Sequence, residues 1–231
     1  MVPPLVLDID GTLTRADATD TPEPIDSRVL DPIRTWDAPV VIATGKSFPY
    51  PVALAQFIGV EPIVIAENGG IAVARGNLRR FVSPTVLEDI LTALREEDIL
   101  PPADGFDDIN EWRETELALP RSLDIQNVRK VANRYGMEVI DSKFAFHVKD
   151  PSVSKGVALE WIADEVNISL EDAVAIGDSV NDVSNFERVG RGIALANADE
   201  AAKGAADEIL TMGYADGTLS VLRELLTTTE T

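Results

Sequence analysis

Short apolar runs alternate with amphipathic segments along the first third of the chain. A strand is predicted at 4–9, a second strand that ends in a glycine turn within 38–47, and a third that is followed by a polar loop within 61–70; the helices predicted between them are 27–37 and 49–59. Strands separated by helices are typical of a parallel sheet that is covered on both faces. Gly76-Asn77 lies between two extended flanks in 71–81, and this pattern predicts a β-hairpin after the third strand.

The pattern changes over residues 83–151 and then returns. Amphipathic helices are predicted at 83–98 and 122–136, with short strands at 115–119 and within 137–150. The later elements are a helix at 154–167, a strand within 171–182, a strand and a helix within 190–207, and a helix at 217–231. We therefore predict a discontinuous α/β core, residues 1–82 and 152–231, with an inserted α+β cap domain, residues 83–151.

The charge balance is strongly acidic and narrows the possible partners. Forty acidic residues against twenty basic ones give a formal net charge of −20 over 231 residues. Such a field repels nucleic acid. The acids are dispersed along the chain, as in the proteins of salt-accumulating archaea; an ordinarily acidic cytoplasmic protein is the alternative. The sequence has no cysteine, no signal segment and no membrane-length apolar run, so we expect a cytoplasmic protein.

Polar residues follow the predicted strands where each of them ends. They are Asp8 and Asp10, Thr44-Gly45-Lys46, Glu67-Asn68, and Asp178 with Asn181-Asp182, and Lys155 opens the helix after the cap. In open α/β sheets, ligands bind outside the carboxyl ends of the strands. These side chains are therefore expected in one crevice.

Four carboxylates in one crevice require a cation. Cysteine is absent and the single histidine lies elsewhere, so the available ligands are oxygen atoms, which suit Mg²⁺. Bound Mg²⁺ implies an anionic substrate, typically a phosphate. Thr44 and the amides near Gly45 are suitable phosphate donors, and Lys155 supplies a point charge. A carboxylate beside Mg²⁺ and lysine can attack phosphorus, and a second carboxyl group can protonate the leaving oxygen and then activate water.

Four segments, in order, resemble the motifs of the haloacid dehalogenase-like phosphohydrolases. They are "DIDGTLT", "VVIATG", "SKG" and "GDSVND". The resemblance implies a Rossmann-like parallel-sheet core with an inserted cap. "ENGG" and the cap position make the chain similar to one branch of this family, which includes sugar phosphatases, phosphomannomutases and archaeal phosphoglycolate phosphatases. The compact length and "FAFHVKDPSVSKG" are most similar to the last group.

This resemblance implies a role for each acidic residue of the motifs. Asp8 is expected to be the nucleophile and a Mg²⁺ ligand. Asp10 is expected to be the general acid and base, with its backbone carbonyl on the metal. Asp178 is expected to ligate Mg²⁺ directly, and Asp182 to support it directly or through water.

The same resemblance implies a set of phosphate-binding groups. Thr44 and the amides of Gly45 and Lys46 are expected to hold the phosphoryl oxygens, Lys155 to neutralise the phosphoaspartate, and Asn181 to orient the phosphate site. Relatives often have arginine where this chain has Lys46, so the bidentate fork of arginine is absent there.

The predicted function is hydrolysis of a small phosphorylated metabolite with Mg²⁺, with 2-phosphoglycolate as the first candidate. The alternatives are a sugar-phosphate phosphatase, a phosphomutase, and a catalytically silent protein that binds a phosphorylated metabolite. No nucleic acid or membrane partner is expected, and the protein is expected to be a monomer or homodimer.

Two residues and one dipeptide outside these motifs each have two possible roles. His147 contacts substrate or is structural. Arg113 meets a substrate carboxylate or balances the acids around it. Glu67-Asn68 either belongs to the site or forms only a turn.

Overall fold

The computed structural model describes residues 2–15, 24–83, 85–101, 110–142 and 145–228. The strands are β1 (Leu5–Leu7), β2 (Val40–Ala43), β3 (Ile63–Ala66), β4 (Ile71–Ala74), β5 (Asn77–Arg80), β6 (Glu116–Leu119), β7 (Glu138–Asp141), β8 (Phe146–Lys149), β9 (Val174–Gly177), β10 (Arg191–Ala194) and β11 (Glu208–Ile209). The α-helices are α1 (Leu30–Arg34), α2 (Pro49–Ile58), α3 (Thr85–Glu96), α4 (Ile125–Arg134), α5 (Lys155–Val166), α6 (Val183–Phe186), α7 (Glu200–Ala205) and α8 (Tyr214–Thr228).

The larger sheet has the strand order β11-β10-β9-β1-β2-β3-β4-β5. The strands from β11 to β3 pair in parallel, and β4 and β5 add an antiparallel hairpin at one edge. The order reverses about β1, because β2 and β9 pair with it on opposite sides. A crevice therefore forms beyond the carboxyl end of β1, where ligands bind in such sheets.

Both faces of this sheet are buried. Leu5 and Leu7 of β1 pack into a cluster that includes residues of α1, α2 and α8, whereas Val6 faces a second cluster that includes α5. Successive strand residues point to opposite faces, so near-continuous apolar runs are what a doubly covered sheet needs. The predicted α/β fold with a parallel sheet is confirmed.

A smaller antiparallel sheet, in the order β6-β8-β7, lies between the two parts of the larger one in sequence. Its apolar side chains share a separate cluster with α3 and α4. Leu117, Val148 and Val139 form one row across the three strands. An antiparallel sheet with helices is the α+β arrangement that the sequence predicts for residues 83–151, of which residues 84, 102–109 and 143–144 lie outside the described residues.

Some predicted element bounds were wrong. The helix predicted over 27–37 is a 3-10 turn followed by α1, and it ends at Arg34. The chain leaves the helix there and buries Trp36, whose indole donates to Pro3 O at 2.8 Å. Helix α8 begins at Tyr214 rather than 217, and residues 229–231 of the predicted helix lie outside the described residues. Among the helices of the described ranges, none is long and apolar enough to cross a membrane.

Candidate active site

Lys155 lies at the centre of the crevice, between two carboxylates. Its Nζ is 2.7 Å from Asp8 Oδ1 and 2.8 Å from Asp182 Oδ1, and all three side chains are buried. Asp8 follows β1, Asp182 ends the 3-10 turn after β9, and Lys155 is the first residue of α5, which Ser154 caps. Three separate segments thus bring these groups together, as the sequence predicts.

The charges of this cluster shift each other's titration. Burial raises the pKa of Asp8 to about 7, with Asp182 and Asp10 adding to the rise and Lys155 opposing it. Burial would lower the pKa of Lys155, but the charges of Asp182 and Asp8 raise it instead. Lys155 therefore stays charged and partly compensates the acids that surround it.

A group of three carboxylates fits a divalent cation. Asp8, Asp178 and Asp182 each offer one oxygen, and these oxygens lie within 4.8 Å of one another. Burial, and then the charges of Asp8 and Asp182, raise the pKa of Asp178 to about 9. Asp178 Oδ1 is buried and has no hydrogen-bond partner among the described residues. Three carboxylates that each offer an oxygen, one of them without a hydrogen-bond partner, make up the kind of donor set that a hard cation uses.

Asp182 is held from both of its oxygens. Oδ1 is paired with Lys155, and Oδ2 accepts from the amides of Asp178 and Ser179 at 3.1 and 3.2 Å. Asp10 lies outside the three-carboxylate group, and its Oδ1 pairs with Lys46 Nζ at 2.9 Å. The side chain of Asp10 is 46% exposed, so it can reach a ligand at the mouth of the crevice.

Gly11 and Asn197 support Asp178 and were not predicted from the sequence. Asn197 Nδ2 donates to Gly11 O at 3.0 Å and to Asp178 Oδ2 at 3.1 Å. Gly11 has a φ of +77°, and a Cβ on it would stand 2.6 Å from Asp178 Cγ. Asn197 follows β10, so the rule that ligands collect at strand ends applies to it as well.

Substitution of Gly11 by alanine is expected to damage the site rather than only the backbone. The matched control is Gly76→Ala, because Gly76 has the same φ of +77° and a Cβ on it would have nothing within 4 Å among the described residues. Both variants should lose about 1–2 kcal/mol of unfolding free energy to the left-handed backbone. Gly11→Ala alone displaces Asp178 and should lower kcat/KM about 100-fold. Equal activities of the two variants, measured at equal folded fraction, would contradict this assignment.

The turn Thr44–Lys46 follows β2 beside this cluster. Thr44 is buried, and its Oγ1 accepts from the Lys46 amide at 3.1 Å, a bond that does not use the hydroxyl hydrogen. A Cβ on Gly45 would stand 3.0 Å from both amide atoms of Asn68, so the turn packs closely on that side chain. Asn181 Oδ1 is also buried and has no partner within the described ranges. The phosphate-binding roles of these residues stay predictions.

Glu67 joins the two sheets, so this segment is more than a turn. Its Oε2 accepts from the amide and hydroxyl of Thr115, both at 2.7 Å, and from the Glu114 amide at 3.0 Å. Glu67 and Asn68 both have positive φ values, 50° and 53°. Non-glycine residues in this conformation are found where other contacts hold them.

His147 lies in a buried group with Glu116, Asn68 and Arg113. Its Nδ1 is 3.1 Å from Glu116 Oε1, and its Nε2 is 3.0 Å from Ser142 Oγ. Both ring nitrogens therefore have partners within the protein, and substrate contact by His147 stays a prediction. Arg113 pairs with Glu116, which agrees with the reading that it balances an acid, and its Nη1 also donates to Gly45 O at 2.8 Å.

The fold and these motifs define the class of the protein. A sequence model of the haloacid dehalogenase-like hydrolase family matches residues 5–103 and 117–222. The chain belongs to this family, and the resemblance of its motifs is confirmed. The acidic cluster fits the divalent metal that phosphatases of this family generally use.

Particular relatives include two from halophilic archaea. The chain is 47% identical over its whole length to a phosphoglycolate phosphatase of Halorubrum lacusprofundi, and all of that relative is covered. It is 46% identical to a phosphoglycolate phosphatase of Halobacterium salinarum, over 95% of this chain and 96% of the relative. A solved Thermoplasma acidophilum structure has the same fold, with a TM-score of 0.82, 24% identity, and coverage of 98% of this chain and 99% of that one.

Proposed function

We propose that this protein is a Mg²⁺-dependent phosphatase that hydrolyses 2-phosphoglycolate to glycolate and phosphate. One observation carries the proposal: the buried residues Asp8, Lys155 and Asp182 and the half-buried Asp178 form one cluster beside the Thr44 turn. Relatives up to 47% identical over the full length are phosphoglycolate phosphatases, and this supports the choice of substrate.

The phosphoryl group passes through Asp8 in the proposed reaction. Asp8 attacks phosphorus, and the bond from phosphorus to the substrate's leaving oxygen breaks. Asp10, on the exposed side of the crevice, gives that oxygen a proton. Water, losing its proton to Asp10, then cleaves the aspartyl-phosphate and regenerates Asp8.

The other groups of the cluster hold and neutralise the phosphoryl group. Lys155, at 2.7 Å from Asp8, compensates the charge of the phosphoaspartate. Asp8, Asp178 and Asp182 would hold the ion, with the Asp10 carbonyl as a further ligand. Mg²⁺, when bound, supplies charge stabilisation at the phosphoryl oxygens. Thr44 and the amides of its turn would bind those oxygens from the other side.

The smaller sheet with its helices is proposed to act as the cap, residues 83–151, over a core of residues 1–82 and 152–231. Its contacts with the edge of the crevice, through Thr115 and Arg113, support this role. A cap over the mouth of the site excludes water and recognises the organic part of the substrate.

We also propose a cytoplasmic location and a salt-adapted acidic surface, in line with the net charge of −20.

A panel of phosphate esters tests this function. Phosphate release from 2-phosphoglycolate and several sugar phosphates is measured at high KCl with Mg²⁺, and again with EDTA. We expect release that requires Mg²⁺, with the highest kcat/KM for 2-phosphoglycolate. Preference for a sugar phosphate would instead indicate a sugar-phosphate phosphatase. Isomer formation without phosphate release would indicate a mutase, and no reaction with any ester would contradict the enzyme assignment.

A further inference from the structure

The turn Thr44–Lys46 has all three of its backbone carbonyl groups engaged by donors. The backbone N–H of Asn68 donates to Thr44 O at 3.2 Å, and the backbone N–H of Glu67 donates to Lys46 O at 3.0 Å. The third donor differs, because Gly45 O accepts from the guanidinium of Arg113 at 2.8 Å. Arg113 is therefore the side chain that completes a set of otherwise backbone contacts.

The carbonyl of Gly45 belongs to the same peptide group as the amide of Lys46. A trans peptide is planar, and its C=O and N–H point in opposite directions. The bond from Arg113 thus fixes the direction of the Lys46 N–H, which donates to Thr44 Oγ1 at 3.1 Å in this structure and is one of the two amides proposed to bind phosphoryl oxygens. The other proposed donor is the Gly45 N–H, which shares a peptide group with the Thr44 carbonyl. The bond from the Asn68 backbone N–H to Thr44 O therefore fixes the direction of the Gly45 N–H.

Arg113 is itself held in place by Glu116. The two side chains form an ion pair in which Arg113 is 3% exposed and Glu116 is fully buried. Asn68 Nδ2 donates to Glu116 Oε2 at 2.7 Å, and His147 Nδ1 lies 3.1 Å from Oε1. Burial would raise the pKa of Glu116, but the charges of His147 and Arg113 hold it below its usual value, so the ion pair persists at neutral pH.

These contacts span the junction between the two sheets. Gly45 follows β2 of the larger sheet, whereas Arg113 lies on the segment that leads into β6 of the smaller sheet, with Glu116 as the first residue of that strand. The geometry of the phosphate-binding turn therefore depends on the docking of the smaller sheet. This dependence couples cap position to phosphoryl binding.

We infer that Arg113, held by Glu116, is a positioning residue that orients the Gly45–Lys46 peptide for binding the substrate's phosphoryl group. The inference rests on the proposed phosphatase function and deepens it. Arg113 contacts the turn and not the reacting atoms, so its removal should weaken the binding of phosphate without changing the metal site. That site is built by residues after β1 and β9.

The test compares two double variants that each remove one arginine–carboxylate pair at this junction. Arg113→Met with Glu116→Gln removes both charges of the positioning pair together, and Gln still accepts from Asn68. The matched control is Arg80→Met with Glu114→Gln. This ion pair joins β5 to the same segment that carries Arg113, and both of its side chains are more than a third exposed. Within the described residues, the side-chain bonds of this control pair run between its two members and not to the turn.

The readouts are the dissociation constant of inorganic phosphate with Mg²⁺, kcat and KM for 2-phosphoglycolate, and the Mg²⁺ concentration for half-maximal activity. In the Arg113/Glu116 variant, the phosphate dissociation constant and KM should rise about tenfold, as for the loss of one charged hydrogen bond. The Mg²⁺ requirement should not change, and the control should stay within about twofold on every readout. A purely structural role would lower the active fraction, and hence kcat, and leave the phosphate dissociation constant unchanged.

A second variant keeps the test decisive when the double variant does not fold. In Arg113→Lys, the ammonium keeps the charge beside Glu116, but it stands one bond nearer the backbone than Nη1, the single atom of Arg113 that donates to both Glu116 and Gly45 O, so the bond to Gly45 O is lost. The phosphate dissociation constant should again rise, by about threefold or more. An unchanged constant in the variant that folds overturns the inference. Failure of the proposed function looks different, since the wild-type protein itself would then release no phosphate.

Discussion

Asp8→Asn is expected to lower phosphate release by a factor of at least about 1,000, because the amide keeps the shape of the side chain and removes the nucleophile. The fold should persist. Lys155 can still donate to the amide oxygen of the new side chain, and the substitution removes one of the like charges that raise the pKa of Asp178. The unfolding midpoint at high KCl should therefore equal or exceed that of the wild type.

A surface substitution supplies the control for this prediction. Asp37→Asn removes one exposed carboxylate before β2 and should leave both activity and unfolding midpoint unchanged. Phosphate release is measured with 2-phosphoglycolate and Mg²⁺ for the three proteins side by side. Activity of Asp8→Asn near that of Asp37→Asn would refute the role of Asp8.

Lys155→Met is expected to cost both stability and activity. Removing the cation leaves Asp8 and Asp182 buried without their partner, and breaking a buried pair in this way costs about 3–5 kcal/mol. Activity should fall with it, because Lys155 is proposed to neutralise the phosphoaspartate. Lys203→Met, at a partly exposed lysine whose Nζ is 4.0 Å from Glu200, should change unfolding free energy by less than about 0.5 kcal/mol.

The stability loss in Lys155→Met should grow with pH. The pKa of Asp8 is already about 7 in the folded protein, above its ordinary 3.8, and Lys155 lowers it; without Lys155 it rises further. The folded variant then holds protons that the unfolded chain has released, so its stability falls as pH rises. Unfolding without Mg²⁺ at about pH 6 and about pH 8 measures this. A deficit that shrinks between these pH values would contradict the predicted charge arrangement.

The sequence predicts the larger sheet well because its physical signal is local. Each buried parallel strand is a short apolar run, and each is followed by polar residues at the edge where ligands bind. Asp8, Lys155, Asp178 and Asp182 could therefore be placed near one another before any coordinates. Strand β11 has only two residues and shows no periodicity, so no pattern could reveal it.

The contacts between the two sheets could not be predicted in this way. Arg113 and Gly45 are separated by 68 positions, and their meeting depends on how the smaller sheet docks. The sequence shows Arg113 only as a cation in an acidic stretch, and Glu116 only as a residue of the strand predicted at 115–119. Asn197 is different, since its place after β10 is the same signal that identifies Asp8.

A burst experiment tests the covalent role of Asp8 most directly. p-Nitrophenyl phosphate has a leaving group that needs no protonation, so Asp10→Asn should still transfer the phosphoryl group to Asp8 but hydrolyse it slowly. Rapid mixing of this variant with the ester and Mg²⁺ should release nitrophenol in a burst stoichiometric with enzyme, followed by a slow phase. The double variant Asp8→Asn with Asp10→Asn should show no burst. A burst of equal size in the double variant would contradict the assignment of Asp8 as the nucleophile.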